Sequence, residues 1–263
     1  MVTNTKQNYS KLHHKIVHAL PFVPSRKRQK GFEITRHYGN WSLTLKAWET
    51  LNYYDLITLL LMVRKYIERD FEVKGKHDGR KLIAMKFDLT TLTKERELSN
   101  QFNNRKTLAK SFLRFKRVDL EFRYPDGSMV SSWLVYEVKA DEKSWKTVEV
   151  LMNERFLEYC VDAGILLNWK RLSKYKDNGV AVILDAYLQG VKQRKGKSWK
   201  YRDWIDEKTV FKLIDPNSSQ KSHHLKEQAK EAFSLMHDNG LPFYRYNNVY
   251  KRWEREVQTV SEV

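Results

Sequence analysis

Apolar residues recur at helical spacing in some parts of the chain and alternate with polar residues in others. Between residues 41 and 69 the apolar residues recur with the period of a helix, which predicts one long helix. These residues are Leu45, Trp48, Leu51, Leu56, Leu59, Leu60 and Val63. The Gly-containing stretch KGKHDGRK ends it. The next run, KLIAMKFD, alternates as a strand does, and LTTLTKEREL and RKTLAKSFLRFKR then predict a short helix and a second helix.

A β-hairpin is predicted directly after these helices. In VDLEFRYPDGSMVSSWLVYEV two β-rich runs flank Pro125-Asp126-Gly127-Ser128, which is a strong turn sequence. A short helix, a second helix and a hairpin in that order describe a winged helix-turn-helix, with the hairpin as its wing.

The second half of the chain repeats this order of elements. Helices are predicted over residues 153–175 and 178–193, and a short helix over residues 204–215. A longer helix follows, capped by Asn217 or Ser218 and closed by Asn239-Gly240, and a small hairpin surrounds Asn247-Asn248. The predicted fold class is therefore α+β, with two tandem winged-helix domains at residues 31–152 and 153–263. Residues 1–30, with Arg26, Lys27, Arg28 and Lys30, are predicted to form a basic N-terminal arm, either a flexible tail or a non-specific phosphate contact.

The net charge of the chain indicates which class of binding partner to expect. The 263 residues carry a formal net charge of +17, which favours a polyanionic partner, with nucleic acid first and an acidic membrane surface second. Cys160 is the only cysteine, so no internal disulfide is possible. The longest strongly apolar run, LITLLLMV, is too short to span a bilayer, and the first residues lack the apolar segment of a signal peptide. A cytoplasmic protein without a membrane partner is expected.

The helix predicted around residues 103–118 carries a row of cations. Lys106, Lys110, Arg114 and Arg117 fall within about 80° of one another on a helix, opposite Leu108, Phe112 and Phe115. Asn104 and Arg105 stand at the helix start, where phosphates commonly meet backbone amides. We interpret the row as a face that positions phosphates, and an ordinary solvated basic surface remains the alternative.

The second candidate helix mixes cations with short hydrogen-bonding groups, namely Lys221, Ser222, His223, His224, Lys226 and Lys230. Ser222 and the histidines are suited to base edges and the lysines to phosphates, so this helix is the better candidate for reading sequence. Further phosphate contacts are predicted at Arg194, Lys195 and Lys197 in a basic loop and at Arg245, Lys251 and Arg252 in the second hairpin. Solvated surface is again the alternative for each group.

No catalytic site is expected. His13-His14 and His223-His224 are adjacent, so their side chains diverge and do not match the spaced histidine pair of rolling-circle nickases. The HDGR stretch at His77–Arg80 lies between glycines in a predicted loop, and no Walker-type glycine-lysine motif is present. We therefore expect a non-enzymatic protein without metal or cofactor.

The order of elements, the size and the basicity resemble those of plasmid replication initiators that bind directly repeated origin sites (iterons). The resemblance covers most of residues 40–255 and includes LTLKAWETLNYYDLITLLLMVRKYI, RKTLAKSFLRFKRVDLEFRYPDGSMVSSWLVYEV and HLKEQAKEAFSLMHDNG. It implies that both domains bind one repeat of double-stranded DNA, with Lys221–Lys230 on the principal reading helix and Lys106–Arg117 on the secondary one.

The resemblance also implies partners. The N-terminal domain would mediate a homodimer, and monomers would open the origin and recruit host replication proteins, including the replicative helicase and the host initiator. The nearest alternative is a dimeric DNA-binding transcriptional repressor without a replication role, which would prefer inverted rather than direct repeats. A nucleic-acid enzyme of an unfamiliar kind is the alternative from another class.

Overall fold

The computed structural model describes residues 8–25, 28–38, 40–77, 79–96, 98–116, 118–162, 164–175, 177–195, 198–216 and 220–256. Over these ranges the chain forms short helices and small antiparallel sheets, which confirms the predicted α+β class. Within the same ranges, no helix combines the length and the apolar character needed to cross a membrane.

The first half contains nine strands and four helices among the described residues. In chain order they are β1 (Ser10–His13), α1 (His14–Ala19), β2 (Lys30–Tyr38), β3 (Trp41–Glu49), α2 (Tyr53–Ile67), β4 (Glu72–His77), β5 (Arg80–Asp88), α3 (Leu89–Glu95), α4 (Phe102–Phe115), β6 (Val118–Arg123), β7 (Met129–Trp133), β8 (Val135–Ala140) and β9 (Thr147–Asn153).

The second half continues with shorter strands and five helices in the described ranges. They are α5 (Glu154–Asp162), β10 (Gly164–Leu167), α6 (Trp169–Lys174), α7 (Gly179–Gly190), β11 (Gln193–Lys195), β12 (Ser198–Lys200), β13 (Trp204–Asp206), α8 (Glu207–Ile214), α9 (Ser222–Asp238), β14 (Tyr244–Asn247) and β15 (Arg252–Arg255).

One topology occurs twice. The first unit contains, in chain order but not consecutively, α2, β5, α3, α4, β8 and β9. Its strands lie in the order β5-β9-β8, with β4 added at the edge. The second unit contains, in chain order, α7, β13, α8, α9, β14 and β15, with β11 and β12 between α7 and β13. Its strands lie in the order β13-β15-β14. In both units the last strand lies between the other two. The two units therefore share a strand order, but the first unit ends with β8 and β9 and not with the hairpin predicted as its wing, and the pairing of two winged-helix domains stays a prediction.

The hairpin predicted over residues 118–138 forms over residues 118–133, but its predicted place is wrong. The turn closes where Tyr124 N donates to Ser128 O at 2.9 Å, as the turn sequence indicates. The hairpin β6–β7 then pairs with β3 in a separate sheet of order β2-β3-β6-β7, with Leu45 opposite Leu120. The strands after α4 that join β5 are β8 and β9. Turn chemistry determines which strands form a hairpin, but burial of an apolar face determines which third strand it joins.

Residues 41–69 do not form one helix. The residues of β3 alternate between buried Leu43, Leu45 and Ala47 and exposed Lys46 and Trp48, which is the period of a strand. The helix α2 begins only after Asn52, whose side chain accepts from Tyr54 N while Asp55 accepts from Asn52 N. Leu45, Trp48 and Leu51 satisfied a helical period by coincidence, so the prediction was wrong before residue 53.

The predicted basic arm is also wrong for residues 8–25, which belong to the core. Leu12, Ile16, Val17, Leu20 and Phe22 are buried, and β1 pairs with β10 of the second half. Ser10 Oγ donates to Leu60 O of α2 at 2.7 Å, so this segment links both halves. Arg26 and Lys27 lie outside the described residues.

Two further predictions need correction. The stretch 153–175 is helical only in part, because β10 separates α5 from α6 and pairs with β1. The basic segment that includes Arg194 and Lys195 forms the two-stranded hairpin β11–β12 and not a loop. In the first case the partner strand β1 is distant along the chain, so no local pattern reveals the pairing that determines the conformation.

Candidate nucleic-acid interface

The helix α4 presents cations to solvent along part of its length. Its buried side consists of Leu108, Ala109, Ser111, Phe112 and Phe115. On the opposite side Lys110 is exposed, Lys106 is half-buried with its Nζ 6.0 Å from the Phe102 ring, and Thr107 is exposed between them. The first turn contains no acidic residue. The outward face is therefore cationic, with one hydroxyl that the sequence analysis did not select.

Arg114 does not lie in this exposed row. Its Nε and Nη2 atoms donate to Oδ1 of Asp55 at 2.9 and 2.7 Å, and its side chain is 9% exposed. Asp55 is fully buried and also accepts from Ser111 Oγ at 2.5 Å and from Arg28 Nη1 at 2.9 Å. A buried carboxylate requires such compensation, so Arg114 serves the fold. The expectation of four cations in one exposed row is wrong at this position, and Arg117 lies outside the described residues.

Asn104 and Arg105 bind the loop that precedes α4. Asn104 Nδ2 donates to Ser99 O and Oγ, each at 2.9 Å. Arg105 Nη1 donates to Asn100 O and Oδ1, also at 2.9 Å, and its Nε donates to Ser144 O at 3.4 Å. These bonds hold the start of the helix in place and leave the two side chains only part-exposed.

The N-termini of α4 and α9 differ from those of the other helices in the described part of the chain. A side-chain acceptor binds a backbone N–H at the start of each of the others, from His13, Asn52, Asp88, Asn153, Asn168, Asn178 and Asp206. The residues before α4 and α9, Gln101 and Lys221, supply no such bond. The predicted caps Asn217 and Ser218 lie outside the described residues. Uncapped N–H groups and the positive end of the helix dipole favour anions such as phosphate.

The helix α9 exposes most of the residues predicted for it. Leu225, Ala229, Phe233 and Met236 are buried, and the Phe233 ring lies 4.8 Å from that of Trp253 in β15. Lys221, Ser222, His223, His224 and Lys230 are exposed, and the rings of the two histidines are 3.9 Å apart. Lys230 Nζ donates to Glu227 Oε1 at 2.6 Å, so this cation is already partly balanced. The outward face of α9 therefore mixes donors, acceptors and both signs of charge.

Lys226 lies at the side of α9 and is tied to its own unit. Its Nζ lies 3.0 Å from Glu207 Oε1 of α8 and 4.5 Å from the centre of the Tyr246 ring of β14. Hydrogen bonds to Tyr246 and Glu207 raise the pKa of Lys226. The cation joins α9 to α8 and β14, so it is less available to a phosphate than Lys230.

The two basic hairpins of the second half are placed differently. In β14–β15 the Arg245 side chain is 80% exposed and Lys251 is exposed at the tip. Arg252 donates to Glu254 Oε1 at 2.6 Å, and its guanidinium lies over the rings of Trp204 and Tyr250, at 5.2 and 4.6 Å from their centres. In β11–β12 the backbone of Arg194 and Lys195 is described, whereas their side chains and all of Lys197 lie outside the described part.

A second buried carboxylate organises the second unit without involving α9. Asp185 in α7 accepts from Arg171 Nε and Nη2, both at 2.8 Å, from Tyr175 Oη at 2.9 Å and from Gln189 Nε2 at 3.1 Å. Neither Asp55 nor Asp185 was predicted from the sequence. Each is a single acid inside an apolar helix, in YYDLITLLLM and AVILDAYL, and that isolation is the signal that would have identified them.

Within the described ranges, no group of three or more histidine, cysteine, aspartate and glutamate side chains is placed to hold a metal ion.

No protein-family model matches the chain, and no curated protein matches it by sequence. Solved structures of domains 2 and 3 of RctB, a replication initiator of Vibrio chromosome II, have a similar fold. A selenomethionine form of these domains superposes with a TM-score of 0.61 at 8% identity, over 93% of this chain and 99% of that chain. A second structure gives 0.56 at 10% identity, over 84% and 82%. The chain therefore has a fold like that of domains 2 and 3 of RctB.

Proposed function

We propose that the chain is an origin-binding replication initiator whose two repeated units are winged-helix domains that bind double-stranded DNA. One observation carries the proposal. The two helices that lack a side-chain cap, α4 and α9, occupy the same position in two units of the same strand order, and both present exposed cations. The likeness to RctB domains supports the same assignment.

In this proposal α9 enters a major groove and α4 contacts a second part of the same site. Ser222, His223 and His224 approach base edges, and Lys221 and Lys230 approach phosphates. Lys106 and Lys110 of α4 contact phosphates only, because the described part of that face carries few groups that distinguish bases. The hairpins β8–β9 and β14–β15 are the wings, and Arg245 and Lys251 are further phosphate contacts.

The two units are joined closely enough to be presented to DNA together. Tyr54 Oη of α2 donates to Asp177 Oδ1 at 3.0 Å, and Arg36 Nη2 of β2 donates to Lys212 O of α8 at 2.9 Å. Together with the β1–β10 pairing, these contacts support a single protomer that recognises one asymmetric site. We propose that such sites are directly repeated in a plasmid origin.

The remaining parts of the proposal rest on the resemblance and the fold likeness. The protein acts in the cytoplasm without catalysis, metal or cofactor. A homodimer is its storage or regulatory form, and the host replicative helicase and host initiator are its protein partners. The phosphate contacts imply that affinity falls by about 10³ to 10⁵ between 50 and 200 mM salt if six to ten phosphates are neutralised.

Selection of bound duplexes from a random DNA pool tests the proposal. An asymmetric motif of about two helical turns is the expected result, because one protomer with two joined units covers that length. A palindromic motif would replace the initiator by a dimeric repressor. Salt-sensitive binding with no enriched sequence would leave only non-specific binding to nucleic acid.

A further inference from the structure

The tip of the β14–β15 hairpin exposes two bulky apolar side chains. Val249 is 82% exposed and Tyr250 is 64% exposed, and Val249 is the most exposed of the large apolar residues in the described part of the chain. The opposite side of the hairpin is buried, because Tyr244 and Trp253 pack on Phe233 of α9. The hairpin is thus anchored at its base and apolar at its tip.

The tip is held in one shape. Asn247 Oδ1 accepts from Val249 N at 2.9 Å and from Tyr250 N at 3.2 Å, which closes the turn. Lys251 completes it with a φ of 50°, in the left-handed region that residues with a side chain seldom adopt. A pinned turn presents Val249 and Tyr250 with little further entropy to lose on binding.

The Arg252 side chain contacts the ring of Tyr250. Its guanidinium lies 4.6 Å from the centre of the Tyr250 ring and 5.2 Å from that of Trp204, and two of its nitrogens bind Glu254 Oε1 at 2.6 Å. The guanidinium therefore contacts two aromatic rings and one carboxylate of its own unit. Arg252 acts as a positioning residue that holds Tyr250, whereas the sequence predicts a phosphate contact for it.

The corresponding turn of the first unit has a different chemistry. Between β8 and β9 the tip carries Asp141, Glu142, Lys143 and Ser144, and the Asp141 carboxylate accepts from Lys143 N at 3.1 Å. The aromatic residue of that turn, Trp145, is only 6% exposed. The first hairpin therefore presents a polar tip with two acids, and the second presents an apolar tip with cations beside it.

We propose that the β14–β15 tip is a wedge that enters the minor groove and unstacks one base-pair step through Val249 and Tyr250. The inference rests on the proposed function, because it requires that α9 bind the adjacent major groove. A bulky apolar group inserted between base pairs separates them and kinks the duplex. Lys251, exposed at the tip, supplies the charge complementarity to the flanking phosphates. The proposal gives the second hairpin the role of deforming DNA at the site that α9 recognises.

Fluorescence of 2-aminopurine tests this wedge. The base analogue is placed in turn at each position of the selected duplex, and its emission rises when it loses its stacking neighbours. The full chain should raise emission several-fold at one or two adjacent positions. The double variant Val249→Ser/Tyr250→Ser should lose that rise and bind roughly five- to tenfold more weakly, with unchanged sequence preference and salt slope. The matched control Glu142→Ser/Lys143→Ser, at the other tip, should keep the rise.

Arg252 provides a second, independent readout. Arg252→Lys keeps the charge but lacks the planar group that stacks on both rings. If Arg252 positions Tyr250, Arg252→Lys should show a weaker emission rise, and the slope of affinity against salt should not change. A phosphate contact predicts the reverse, with an unchanged emission rise and a reduced slope in Arg252→Met, and that result would overturn the assignment of Arg252.

The outcomes separate the two proposals. Duplex binding without an emission rise at any position overturns the wedge and leaves DNA recognition intact. An emission rise that persists in the double variant also overturns it, since another element would then unstack the bases. A rise seen only with the free single strand would assign the tip to unpaired bases and overturn the duplex wedge. Failure of the unaltered chain to bind any duplex overturns the proposed function itself.

Discussion

The helices α4 and α9 occupy the same place in two units of one topology, yet they are held in different ways. Three atoms of α4, in Ser111 and Arg114, bind the buried Asp55 of the helix it packs on. The corresponding buried acid of the second unit, Asp185, binds Arg171, Tyr175 and Gln189 and no residue of α9. The helix α9 is held by apolar packing and by Lys226 at its side.

The comparison shows that cations in a helical sequence can either neutralise a buried carboxylate or remain exposed for a ligand. In α4 part of the positive charge neutralises an internal carboxylate, and the described remainder presents two lysines with little chemical variety. In α9 the buried face is apolar, so the polar residues of the other face remain free to differ in type. We expect α4 to contribute affinity and α9 to contribute sequence preference.

The largest expected effect is a loss of folding stability on removal of either buried carboxylate, Asp55 or Asp185. Asp55→Asn leaves Arg114 without a carboxylate and leaves Arg28 only the longer contact with Glu49, at 4.0 Å, and Asp185→Asn leaves Arg171 without a carboxylate. Loss of one partner from a buried ion pair costs about 3–5 kcal/mol. Urea unfolding should show that loss in both variants. Hydrogen exchange should show that α4 is loosened by Asp55→Asn, whereas Asp185→Asn loosens α6 more than α9.

Asp70→Asn is the matched control for this pair. Asp70 binds Lys65, but its side chain is 69% exposed, and exposed pairs contribute about 0–1 kcal/mol. If Asp185→Asn loosened α9 as much as Asp55→Asn loosens α4, the two helices would not differ in how they are held.

The next effect concerns sequence preference. His223→Ala removes a ring that α9 presents to solvent, and loss of a base contact should reduce discrimination at one position of the site by about 1–3 kcal/mol. Titration of the selected duplex against single-base variants measures this value. The slope of affinity against salt should not change. His77→Ala, an exposed histidine of β4, is the control and should leave preference as it is. Equal loss of affinity for all sequences would assign His223 to phosphate instead.

A smaller effect is expected from the lysines of α4. Lys106→Ala/Lys110→Ala should weaken binding to every duplex alike and reduce the slope of log affinity against log salt by about 2, because each phosphate contact contributes about 0.9. Lys74→Ala/Lys76→Ala on β4 removes the same charge elsewhere and controls for net charge. Addition of Arg114→Gln should lower the free energy of unfolding without a further change of slope. A further fall in slope would return Arg114 to the DNA contacts.

The smallest effect separates two lysines of α9. Lys226→Met breaks the contacts with Glu207 and Tyr246 and should lower the free energy of unfolding by about 0.5 kcal/mol, with the salt slope unchanged. Lys230→Met should reduce the slope by about 1 at unchanged stability. Denaturant titration and salt-dependent binding of both variants check the assignment, and exchanged results would contradict it.

Much of the local structure was predictable. The helices α3, α4, α8 and α9, the strand β5 and the turn at residues 125–128 follow from periodicity and turn residues near in sequence. The exposed residues of α9 followed as well, because its apolar stripe at Leu225, Ala229, Phe233 and Met236 admits one buried side.

The sequence by itself determined the helices α3, α4, α8 and α9, the turn at residues 125–128 and the excess of positive charge. Only the tertiary structure decided that β6–β7 joins β3, that Leu12 and Val17 belong to the core, and that Arg114 binds Asp55. The physical reason is distance along the chain. Helices and turns form between residues three or four positions apart, whereas Arg114 and Asp55 are separated by 59 positions. A strand edge or a guanidinium can accept many partners, and burial of the whole core selects among them.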